Sequence, residues 1–137
     1  MILKKMKVKN FRLLKNFELD FKDEFEFTIE CNPGTLNEEK LALMKNYNVN
    51  RISMGLQTTN DNILKEIGRI HSFEEFKKNY NQARKAGFKN INVDLMFGLP
   101  NQNMKDWKVS LEDVMSLEPD HISAYSLIIE EGTCFYN

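Results

Sequence analysis

Residues 88–100, FKNINVDLMFGLP, decide how the rest of the chain reads. Ile91, Val93 and Leu95 alternate with Asn92 and Asp94, so the stretch is a short β-strand with one apolar face and one face carrying a carboxylate near its C-terminal end. Gly98 and Pro100 then stop it. The pattern stands twice more upstream. Phe25, Phe27 and Ile29 alternate with polar positions ending in Glu30, and Ile52, Met54 and Leu56 with positions ending in Gln57. Helical patterns separate these strands, the signature of a parallel β/α arrangement whose ligand site lies beyond the C-terminal strand ends. Glu30, Gln57 and Asp94 would then converge on one mouth. A single such residue is as readily a solvated strand end; three in register favour a shared site.

The chain has 137 residues, one modest domain that on closing buries roughly two-thirds of its unfolded surface. A net charge of −1 gives no reason to expect nucleic acid or an acidic membrane as partner. No apolar run approaches the ~20 residues of a membrane span, and the lysine-rich start has no signal-peptide core. The expectation is a soluble, cytoplasmic chain. Cys31 and Cys134 are its two cysteines, too far apart for a chelating pair and too few for a disulfide framework. Neither suggests a metal site, and no catalytic triad or phosphate loop appears.

Residues 1–24 read differently. Lys4, Lys5, Lys7, Lys9, Arg12 and Lys15 precede any acid, and Met6 and Val8 alternate with lysines. Phe17, Leu19 and Phe21 alternate with Glu18, Asp20 and Lys22 after a polar break, which predicts a β-hairpin with a solvated basic face. From residue 25 the β/α alternation takes over. Asn37 caps a helix with Glu38 and Glu39 in its first turn; Leu41, Met44 and Asn48 share its face, and Asn48 suits a left-handed C-terminal position. A strand over 51–57 follows, then a short helix over 61–67 ending at Gly68. His71 falls in the next loop, where a surface histidine is the default. Phe73, Phe76, Tyr80 and Ala83 give the next helix a core-facing stripe. Met104, Trp107, Leu111 and Val114 mark another, with Trp107 as its buried anchor. A last strand over 121–129 leads into a loop tail, EEGTCFYN.

The residues thus predict an α/β fold: a curved parallel sheet of about four strands with outer helices, preceded by a hairpin. Glu30, Gln57 and Asp94, joined by Arg69 from a loop above, suit a small zwitterionic ligand with hydroxyls. The guanidinium takes a carboxylate, and the acids take an ammonium or a ribose diol.

The stretches EFTIECNPGTLNEEKL, NRISMGLQ, LKEIGRIH, AGFKNINVDLMFGLPNQ and HISAYSLIIEEGT resemble, in order, motifs of the radical S-adenosylmethionine family of oxygen-independent coproporphyrinogen III oxidases and their relatives. The resemblance covers residues 25–137 and implies a partial TIM-like (β/α) barrel. It places S-adenosylmethionine contacts on Glu30, Gln57, Arg69 and Asp94, with Ile128 as a weaker match where a strand backbone meets the adenine. The GRIH stretch at His71 and the SLIIEEGT tail resemble the haem-chaperone branch, which implies haem as a further ligand. Residues 2–21, ILKKMKVKNFRLLKNFELDF, are similar to the opening hairpin of recombination-type ATPases, but no glycine-rich phosphate loop follows.

The family binds a [4Fe–4S] cluster through a CxxxCxxC loop, a reducing centre on the order of −400 mV or lower. This sequence has neither that loop nor the GGGTP stretch of the methionine pocket. It therefore reads as a truncated or fused part of a haem-chaperone or coproporphyrinogen-oxidase-like protein, facing S-adenosylmethionine without ligating the cluster, and catalytically silent alone. The alternative is a non-enzymatic haem or porphyrin carrier. An open sheet with unpaired edges further predicts self-association.

Overall fold

The computed structural model describes residues 5–11, 14–20 and 25–128. Strands β1 (Lys5–Phe11) and β2 (Leu14–Asp20) form an antiparallel hairpin, in register from Lys5↔Asp20 to Phe11↔Leu14. The remaining strands, β3 (Thr28–Cys31), β4 (Arg51–Gln57), β5 (Asn90–Phe97) and β6 (His121–Ser126), make a separate parallel sheet in the order β3-β4-β5-β6. Helices α1 (Glu38–Asn46), α2 (Asp61–Glu66), α3 (Phe73–Lys85) and α4 (Met104–Met115) fill the connections.

Alternation decides which side of the sheet is dry. Ile52, Met54 and Leu56 of β4 and Ile91, Val93 and Leu95 of β5 have no exposed surface, and they share one cluster with Leu41 of α1, Phe76, Tyr80 and Ala83 of α3, and Val114 of α4. The intervening positions, among them Glu30, Ser53, Asn92 and Asp94, fall on the opposite face. Parallel pairing holds them level: Glu30 stands opposite Ser53, Ser53 opposite Asn92, and Asn92 opposite His121.

The helix ends follow local chemistry. The Asn37 side chain accepts from the Lys40 N–H, while Ser72 and Asn103 each form a reciprocal capping box, with Glu75 and Asp106. Asn48 takes φ 62°, the left-handed conformation its position after α1 calls for.

Four expectations need correction. The first strand of the sheet begins at Thr28: the Phe27 carbonyl accepts from Asn50 and Arg51 N–H, and the Asn50 side chain bonds Phe27 N–H and the Phe25 carbonyl. The turn into β4 therefore takes the polar backbone groups that a ladder would need. The last strand closes at Ser126; residues 129–137, with Cys134 and the tail, lie outside the described residues, as does Phe21. Trp107 is half-buried at the border of the core, its ring edge-on to Phe97 at 5.6 Å, whereas Val114 and Ser110 are the buried residues of α4. Met104, the first residue of α4, is 79% exposed.

His71 is the fourth. Instead of lying at the surface it is 5% exposed, with a ring nitrogen bonded to the Leu56 backbone and Nε2 without a partner. Burial lowers its proton affinity, and the nearby Arg69 guanidinium acts in the same direction.

Candidate functional site at the strand tips

Glu30, Gln57, Arg69 and Asp94 line a single cleft of about 280 Å³ at the C-terminal ends of the strands. The two acids come from strands one removed from each other, with β4 between them; Gly55 of β4 lies opposite Asp94. A parallel ladder puts residues of equal parity on one face, so the carboxylates share a side of the sheet.

Gln57 reaches the cleft through an irregularity. The β4–β5 register slips between Gly55 and Gln57, and Gln57 adopts φ 78°. A non-glycine residue in that region is strained, and such strain concentrates at functional sites. Its side chain is 7% exposed, and a Cβ on Gly55 would stand 3.0 Å from its Nε2. Glycine there keeps the β4 backbone open to the cleft.

Arg69 enters from the loop after α2, following Gly68 at φ 74°. Its Nη1 donates to Asn32 Oδ1 at 3.0 Å, aiming the guanidinium across the cleft toward the end of β3. The Asp94 carboxylate is held at both oxygens: Ser53 Oγ donates to Oδ2 at 2.8 Å, and Asn92 Nδ2 to Oδ1 at 2.7 Å. Asn32, Ser53 and Gly55 line the cleft as well. The signal for Ser53 and Gly55 was their parity with Gln57; Asn32 sits in a turn with no periodicity to reveal it. Ile128 lies beyond β6, 76% exposed, and is not among the residues lining the cleft.

The donor set fits a small zwitterion better than a metal. Two carboxylates face one guanidinium, so the cleft favours a ligand of net positive charge with hydroxyl and carboxylate groups. Among the described residues no three His, Cys, Asp or Glu side chains gather into a metal-holding group. Cys31 lines the cleft but is buried, and desolvation pushes its thiol up to about 11 against the pull of Lys40. A thiol that stays protonated at neutral pH is a poor ligand for iron, and the described residues do not fit an iron–sulfur cluster.

No helix among the described residues is long and apolar enough to cross a membrane.

Comparison with known proteins agrees with this geometry. The family model described as "Radical SAM superfamily" matches residues 2–114. The "Heme chaperone HemW" of Bacillus subtilis is 46% identical over 115 residues, 84% of this chain and 30% of that protein. The Haemophilus influenzae "Heme chaperone HemW" is 43% identical over 118 residues, 86% of this chain and 31% of that one. The chain therefore spans about a third of the length of these curated relatives. Among solved structures, the Escherichia coli coproporphyrinogen III oxidase HemN, described as a radical SAM enzyme, superposes with a TM-score of 0.70 at 31% identity, over 75% of this chain and 24% of that one. An ordered parallel β/α sheet, a cleft at its C-terminal edge and these likenesses lead to one assignment: the chain belongs to the radical SAM superfamily, within its haem-chaperone and coproporphyrinogen-oxidase-like branch.

Proposed function

We propose that the cleft between β3 and β5 binds S-adenosylmethionine, and that the chain supplies the cofactor-facing half of a (β/α) barrel. The observation that carries this reading is the meeting of Glu30, Gln57, Arg69 and Asp94 in one cleft. Arg69 would take the methionine carboxylate, Glu30 the ammonium, Asp94 the ribose hydroxyls and Gln57 a polar edge beside them, with the Ile128 backbone meeting the adenine. The cofactor's net positive charge complements the excess of carboxylate over guanidinium. At about 280 Å³ the cleft falls just below the ~300–1,000 Å³ range of ligand sites, so it holds part of the cofactor and leaves the rest to neighbouring structure.

When bound, the cofactor supplies a cleavable sulfonium–carbon bond. The residues of this chain bind and orient it, and the electrons for cleavage would come from a cluster that the described residues do not ligate. Isothermal titration of the chain with S-adenosylmethionine tests the binding claim: micromolar to millimolar saturation is expected, and its absence refutes the reading. Reconstitution with iron and sulfide followed by a search for 5′-deoxyadenosine tests the silence of the chain alone, and product would contradict it.

The names of the heme-chaperone relatives favour a second reading for the whole protein, a role in haem or porphyrin handling. His71 does not present its imidazole at the surface for this role: it is 5% exposed in the loop between α2 and α3, with a ring nitrogen bonded to Leu56. A haem titration followed in the Soret band tests the carrier idea, and a flat titration removes it.

A further inference from the structure

On the same face as Asp94, one step down β5, Asn92 is 2% exposed and sits where several polar side chains meet. Its Nδ2 donates to Asp94 Oδ1 at 2.7 Å and to Ser53 Oγ at 2.8 Å. Its Oδ1 accepts from Ser123 Oγ at 3.0 Å and meets His121 Nδ1 at 2.5 Å. A carboxylate acceptor requires a donor opposite it, so the amide is fixed with Nδ2 toward Asp94 and Oδ1 toward β6. His121 must then carry its hydrogen on Nδ1. Ser53, which receives a hydrogen from Asn92, passes its own to Asp94 Oδ2.

Every donor in this network therefore runs toward one carboxylate. Such a group offers about four acceptor positions, and Ser53 and Asn92 occupy one on each oxygen. One acceptor on each oxygen remains for the cleft, the arrangement that matches two neighbouring hydroxyls of a sugar.

We propose that Asn92 and His121 are positioning residues: through the amide they lock the Asp94 carboxylate in the orientation that takes both hydroxyls of a ribose, and they set the preference for ribose over 2′-deoxyribose. This inference rests on the reading of the cleft as an S-adenosylmethionine site. It extends the site from the strand tips to β6, whose His121 makes no direct contact with the cleft lining.

The test is titration of the full chain with S-adenosylmethionine and with its 2′-deoxyribose analogue, alongside a melting curve for each variant. The wild type should favour the ribose form about tenfold or more, equivalent to about 1.4 kcal/mol. His121→Phe and Asn92→Leu should narrow that ratio at least threefold, and His121→Asn, whose Nδ2 replaces the lost donor, should restore it. Should Asn92→Leu fail to fold, His121→Phe, at an exposed position, carries the test. Equal weakening toward both ligands, with the ratio intact, overturns the proposal. ¹⁵N spectra of the imidazole need no ligand: a neutral His121 with its hydrogen on Nδ1 supports the network, and one with Nδ1 bare overturns it. Binding of neither ligand by the wild type, whatever the tautomer, removes the cofactor reading and the sugar role together.

Discussion

Gly55 governs how closely a ligand can approach the backbone of β4. An added Cβ would meet side-chain ends alone, Gln57 Nε2 at 3.0 Å and Asn32 Oδ1 at 3.8 Å, both of residues that line the cleft, so the backbone can yield there while the cleft cannot. Gly55→Ala is expected to leave the melting temperature within a few degrees of the wild type yet weaken S-adenosylmethionine binding about tenfold, ~1.4 kcal/mol, as titration calorimetry would show. His71 makes a different demand. Its proton affinity is lower in the fold than its ordinary value of 6.5, so between those two values the unfolded chain binds more protons. The associated stability is complete above pH 6.5, declines as the pH falls through that value and levels off below the folded one. Urea melts at pH 7.5 and 5.5 should differ, and His71→Leu should reduce the difference; an unchanged difference contradicts the assignment. Parity with Gln57 gave the side of Gly55, but the burial of His71 was not legible in the sequence. Loop position suggested a surface histidine, and no local pattern signals the slip that swings Gln57 inward. Asp94 was legible because strict alternation assigns its side.

The helices and strands were read largely from periodicity, and the misses lie at ends where tertiary partners decide. Phe25 and Phe27 continue the alternation of β3, but Asn50 takes their backbone groups, a contact across a helix that no local pattern encodes. Arg84 in the last turn of α3 shows the same kind of long-range fastening. Its guanidinium donates to Tyr80 Oη at 2.7 Å, to Asp120 Oδ2 at 2.7 Å and to the carbonyls of Glu118 and Lys89 at 2.8 and 3.1 Å. The Asp120 carboxylate in turn accepts from the Ile91 N–H at 2.9 Å, so one cation ties α3 to the entry of both β5 and β6. Arg84→Met should cost on the order of 1 kcal/mol, since it removes several charge-assisted hydrogen bonds at a partly exposed site. Denaturant unfolding measures it, and a loss under about 0.5 kcal/mol would show the fastening to be superficial.

As a whole, the described sheet is open: β3 and β6 each have one neighbour, and Phe97, Tyr125 and Ile128 are large apolar residues exposed near the β6 side. Unpaired edges beside apolar surface recruit further strands. Sedimentation velocity should reveal concentration-dependent association, and Tyr125→Lys, which adds charge to the edge strand, should shift the population toward monomer. A wild type that sediments as one monomer at every concentration contradicts this. The β/α architecture was legible at this scale because each buried strand carries its own alternating stripe.

The strands also stand side by side in the order in which they occur along the chain. On a ribosome, each strand after β3 would emerge to find one partner already made, so the sheet can grow from one side as synthesis proceeds.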